Sequence, residues 1–253
     1  YKEGTSWKRR FWNNLRTNLI IILASSLLLM EGYVCVIMAM PLFILITIVA
    51  FISAYIWNTY GKGSPKSYIL PAIMILASFE GTTPEFSFNR YNAVTYTQTV
   101  NLDAATIKER IQQPIKFKGN RHWLLSVFPM PVHVDTVKLK EGEIRKYDFI
   151  YHRWFITNTK VGSVEVKFRE IGENRIKTEI TDTSYISGYM KLHGTEFNLT
   201  PLNEHQTQVS LTVYFDRTLD PIWYYGPLER FAVQKGIKYF INEVLAEKSG
   251  ENI

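Results

Sequence analysis

From Asn18 to Trp57 the chain runs for 40 residues with one ionisable acid or base, Glu31. A helix needs about 20 consecutive apolar residues to cross a bilayer. Neither half of the stretch shows a polar face, so a soluble helical hairpin fits it poorly and two crossings joined by a tight turn fit it well. The turn is expected near Met38–Pro41, because proline disfavours helix at the residue before it. The expected spans are Asn18–Ile37 and Pro41–Trp57. A third apolar run, Ser67–Phe79, follows the polar linker Gly61–Lys66 and contains Pro71. It reads as a third crossing, with a re-entrant or interfacial segment as the alternative. The apolar region is too long for a secretory signal peptide.

Charge placement gives an orientation. Residues 1–80 carry seven bases against three acids, whereas residues 81–253 carry 22 against 20. Most of the net +6 therefore sits before the first span and after the second. Both segments should face the cytoplasm under the positive-inside rule. Three crossings put everything after Phe79 outside the cytoplasm, as expected for a bacterial inner-membrane protein; two put it inside. Lys8, Arg9 and Arg10, flanked by Trp7 and Trp12, read as an interfacial anchor touching membrane lipids. The nearly neutral remainder excludes a nucleic-acid footprint.

Glu31 is costly at mid-membrane, about 2.5–3.5 kcal/mol on insertion scales. It either ends a span or contacts a headgroup, a partner helix or a proton. Cys35 is the only cysteine, so no intrachain disulfide forms, and it reads as a packing residue.

After Pro84 the pattern changes to period two. Val94–Leu102 alternates apolar and polar residues, Asp103 caps a helix over Ala104–Gln112, and Pro114 ends it. Strands follow at Val132–Lys140, Ile144–Tyr151, Ser163–Ile171, Arg175–Asp182, Tyr189–Leu199 and Gln208–Arg217, separated by short polar turns. Such an order makes an antiparallel meander. A helix over Trp223–Lys248 closes the chain, with Phe231, Val233, Ile237, Phe240, Ile241, Val244 and Leu245 inward and Glu229 among its exposed charges.

This order, the opening strand running into Asp103-Ala104-Ala105, and the tail from Gly188 to Leu245 resemble the START-like, helix-grip (SRPBCC) superfamily, in its polyketide cyclase/dehydrase and lipid-transport group. The resemblance covers about Val94–Lys248. EGYVCVIMAMP also looks like the membrane segment preceding such domains in some bacterial proteins. The expected fold class is α+β: transmembrane helices, then a curved antiparallel sheet of about six to seven strands wrapped on a long C-terminal helix. The expected organisation is a basic cytoplasmic segment at 1–17, a membrane segment at 18–80, a linker at 81–93, the START-like domain at 94–248 and a tail at 249–253.

The resemblance implies a cavity between sheet and helix that holds a lipid or another apolar molecule. The candidate wall is Tyr147, Phe149, Val166, Phe168, Ile180, Tyr189, Phe197, Leu211, Val213, Phe231 and Phe240; a solid core is the plainer reading of each. His193 is the best polar candidate, sharing strand parity with Tyr189 and Phe197. Glu196, at odd spacing from it, should face the other way. His152–Trp154, His122 and Asp182 read as loop or strand-end residues. No phosphate loop, HExxH or CxxC occurs, so no cofactor and no metal is expected. The reading is a non-catalytic, membrane-anchored binder of a lipid or apolar ligand. The alternatives are an accessory subunit docking on a membrane-protein partner, and a cyclase-like enzyme acting on a hydrophobic substrate.

Overall fold

A computed structural model of the protein describes residues 7–28, 33–60, 72–73, 76–77, 79–113, 115, 117, 122–128, 130–154 and 157–245. The chain divides into two compact units: residues 1–87 with 153–158, and residues 88–152 with 159–253.

In the first unit, α1 spans Trp7–Leu28 and α2 spans Tyr33–Tyr60. They run antiparallel. Trp7 meets Phe51 and Tyr55 at ring separations of 5.9 Å, Phe11 meets Phe51 at 5.1 Å, and the Asn18 amide donates to Thr47 Oγ1 at 3.0 Å. The expected break at Met38–Pro41 is corrected: α2 runs through Pro41, and α1 ends at Leu28. Proline removes one intrahelical hydrogen bond, a loss the 28-residue helix absorbs. The expected first span, Asn18–Ile37, is not one helix. Its N-terminal part belongs to α1, which begins at Trp7 and carries Lys8, Arg9, Arg10 and Arg16. Among the described residues one helical stretch, Met38–Ile56, is long and apolar enough to cross a membrane. Glu31 and most of Ser67–Phe79 lie outside the described residues.

The second unit is α+β. Its strands, apart from the tips of β3 and β4 within 153–158, are β1 (Tyr91–Val100), β2 (Pro131–Val134), β3 (Ile144–Trp154), β4 (Thr157–Ile171), β5 (Arg175–Asp182), β6 (Met190–Asn203) and β7 (Gln206–Arg217). Helix α3 covers Ala104–Gln112 and α4 covers Ile222–Leu245. Asp103 caps α3 by accepting the Thr106 amide at 2.7 Å. The strands form one antiparallel sheet in the order β1-β7-β6-β5-β4-β3-β2. It is a meander whose first strand returns to pair with the last, placing Val94 opposite Val213 and Tyr96 opposite Leu211. The expected strand over Val132–Lys140 is shorter, ending at Val134, while the two strands flanking residues 155–156 are longer than expected.

One face of the sheet and one stripe of α4 share the core. Ile176, Leu199, Val209, Leu211 and Phe215 meet Val233, Ile237, Ile241, Val244 and Leu245 there. Each such side chain contributes about 1.5–3 kcal/mol when fully buried. The stripe differs from the expected one at two positions. Glu229 is buried and Phe231 is exposed. At about 100° per residue, 229, 233 and 237 drift along one side of a helix while 231 falls opposite.

Glu229 lies among Arg217, Asp220 and Arg90, at the end of the sheet where Asp220 pairs with both arginines. Burial pushes the Glu229 carboxyl up to about 8; Asp220 adds to the shift, while Arg217 and Arg90 oppose it. The folded state therefore binds a proton that the unfolded chain releases above about 4.5. Stability from this group is full below that pH and is lost as pH rises through about 8. Urea unfolding of the full chain across pH 5–9 is expected to show this decline, amounting to a few kcal/mol, and Glu229→Gln should flatten it.

Candidate functional site

Sheet and α4 do not close on each other completely. Between them lies a cavity of about 370 Å³. The sheet contributes Pro131 from β2, Arg145, Tyr147 and Phe149 from β3, Val164, Val166 and Phe168 from β4, Thr178 and Ile180 from β5, Met190, Leu192, Thr195 and Phe197 from β6, and Leu211 and Val213 from β7. Helix α4 contributes Ala232, Val233, Gly236, Ile237, Tyr239 and Phe240. Ile111, Phe117, Leu125, Phe128 and Met130 complete the described lining. A methyl group added at Gly236 would meet nothing within 4 Å, so the helix there borders open space.

Of the expected wall, Tyr147, Phe149, Val166, Phe168, Ile180, Phe197, Leu211, Val213 and Phe240 line this cavity. Two expected wall residues and the polar candidate His193 do not. Tyr189 is buried before β6 and packs edge-on against Phe128 at 6.2 Å. Phe231 is 42% exposed, meets the His122 ring at 5.8 Å, and has Lys235 Nζ 5.1 Å from its centroid.

His193 faces away from the cavity. Its Nε2 lies 2.8 Å from Asp216, and its ring stacks on Tyr91 at 6.1 Å. The cause is a bulge in β6, where pairing with β7 shifts between Leu192 and Gly194. A bulge adds one residue and reverses parity beyond it. Leu192 thus points inward before the bulge and Thr195 and Phe197 point inward after it, while His193 turns out. The expectation that His193 and Glu196 occupy opposite faces fails for the same reason. Glu196 accepts from Arg175 Nε at 3.0 Å and from the Tyr214 hydroxyl at 3.1 Å, while Tyr214 stacks on the same Tyr91. Arg175 holds the Glu196 carboxyl below its ordinary range. Gly194 makes the bulge sterically possible: an added Cβ would lie 2.2 Å from Thr178 O.

The polar part of the lining is small. Thr178 Oγ1 and Thr195 Oγ1 share a hydrogen bond of 2.7 Å. Burial pushes the Tyr147 hydroxyl up, and neighbouring Arg145 opposes this. Arg145, which sequence reasoning missed, is the one charged side chain among the described lining residues. Its signal was available: it shares strand parity with Tyr147 and Phe149. Among the described residues no cluster of three His, Cys, Asp or Glu is placed to hold a metal ion.

No protein-family profile and no curated protein matches the chain. Solved structures do match. A START superfamily protein from Mycobacterium smegmatis is 12% identical, over 60% of this chain and 93% of that one, with a TM-score of 0.41. The Zhui aromatase/cyclase from a Streptomyces species is 17% identical, over 62% and 93%, with a TM-score of 0.38. Norcoclaurine synthase from Thalictrum flavum is 14% identical, over 63% and 90%, with a TM-score of 0.36.

Gly194→Ala should lower the unfolding free energy by about 1–3 kcal/mol and disturb the β5–β6 edge of the cavity. Denaturant titration monitored by tryptophan fluorescence reads the loss.

Proposed function

We propose that the second unit is a START-like, helix-grip module that binds a lipid or other apolar molecule without transforming it, held beside a membrane by the N-terminal apolar helix. The observation that carries this reading is the cavity of about 370 Å³ between sheet and α4, with a wall mainly of Phe, Tyr, Leu, Ile and Val. That volume falls within the range of small-molecule sites, about 300–1,000 Å³. Binding draws on apolar surface removed from water, about 25 cal/mol per Å². Fixing the module beside a bilayer raises the effective concentration of a membrane-dissolved ligand. The outward turn of His193 takes the most reactive expected side chain away from the ligand, which favours binding over cyclisation.

The anchor would be Met38–Ile56. Lys8, Arg9 and Arg10 lie in the first turns of α1, whose Trp7 and Phe11 pack on Phe51 and Tyr55 near the C-terminal end of α2. The basic cluster thus sits beside the C-terminal end of α2, and the next bases in the sequence are Lys62 and Lys66, which supports a cytoplasmic position for that end. The module itself is assigned to the extracytoplasmic side on the reading of Ser67–Phe79 as a crossing. Protease added outside spheroplasts should then cleave it, and protection would overturn the orientation.

Native mass spectrometry of the detergent-extracted full chain is expected to show one apolar adduct. Leu211→Trp, which fills the cavity, should reduce its occupancy at least about tenfold. An empty chain that also fails to take up dodecanol contradicts the binding role.

A further inference from the structure

Arg145 is only 2% exposed. A guanidinium does not give up its proton inside a protein, and enclosing a charge is costly unless it is paired. Among the described residues the other arginine enclosed to this degree, Arg217, is paired with Asp220 and donates to Phe88 O. Arg145 has no such carboxylate among the described residues. One Nη donates to Gln112 O at 2.8 Å, and Cζ lies 6.0 Å from the centroid of the Phe168 ring. Its Nε meets no acceptor. The bond to Gln112 O and the neighbouring Tyr147 hydroxyl hold the guanidinium in place while leaving Nε unspent, and the side chain forms part of the cavity wall.

Resting on the binding role proposed above, we propose that Arg145 is the internal counter-charge for the ligand, which is a single-chain amphiphile with a carboxylate head group bound inside the cavity. One guanidinium offers two parallel N–H groups to the two oxygens of one carboxylate. A phosphate monoester, with close to two negative charges, would call for a second cation, and the described lining has none. The remaining wall, mostly aromatic and aliphatic, suits an alkyl chain rather than a polar body. The volume, near the low end for ligand sites, suits one chain rather than two.

The test uses the full chain in a neutral detergent at pH 7.5, titrated with dodecanoate, dodecanol and dodecylammonium and read by native mass spectrometry. Wild type should bind dodecanoate at least about tenfold more tightly than dodecanol, the gain of one charge-assisted hydrogen-bonded pair, and dodecylammonium more weakly than either. Arg145→Gln should bring dodecanoate and dodecanol to equal affinity, and Arg145→Lys should keep part of the preference. Equal binding of dodecanoate and dodecanol by wild type overturns the counter-charge role and leaves the apolar binding role standing. Failure of all three probes overturns both. The wild-type ratio decides the matter even if the Gln variant does not fold. A folded Gln variant with an intact preference refutes the role of Arg145.

Discussion

A single helix has to cover one face of a seven-stranded sheet. With strands about 4.8 Å apart, the sheet is roughly 29 Å across, whereas a helix with its side chains is about 10–12 Å wide. The stripe from Val233 to Leu245 seals what it touches. Helix α3 adds Ile107 and Ile111 to the same core. The space left over is the cavity, so the site arises from a mismatch of widths. Small residues on α4 keep it open: Ala232 and Gly236 face the cavity where larger side chains would fill it. A glycine inside a helix costs about 1 kcal/mol relative to alanine, a loss that open space at this position accounts for.

The ends of the sheet are secured by charge. Arg217 and Arg90 converge on Asp220, and Glu229 is enclosed beside them at the start of α4. This cluster ties β7 and the chain before β1 to the helix that grips the sheet, because Arg217 also donates to Phe88 O and Arg90 to Arg217 O. The cavity and this cluster use buried arginines differently. Arg217 is paired by the fold; Arg145 has no acidic partner among the described residues and borders the cavity.

Element order was legible in the sequence because it rests on local signals. The Asp103 cap, the alternation of β1 and the turn between β6 and β7 each act within a few residues. Cavity residues on β3, β4, β5 and β7 were legible by parity alone, which held along strands free of a slip at those positions. His193 was not, because a bulge depends on pairing with β7 and on Gly194 passing close to Thr178, and neither is a local pattern. Glu229 and Phe231 run against residue type, because helical angle puts 229 on the stripe of Val233 and Ile237 and 231 opposite it. A carboxylate was expected outside although its position falls on the buried stripe. Pro41 ended no helix, since the apolar run on either side was strong enough to continue through it.

Gly236→Leu distinguishes an open cavity beside α4 from tightly packed core. Its side chain would enter the cavity from the helix wall. The unfolding free energy of the full chain, measured by denaturant titration, should stay unchanged or rise by about 1 kcal/mol from the gain in helix propensity. A loss of about 1–3 kcal/mol, the cost of overpacking a filled core, would contradict the open cavity.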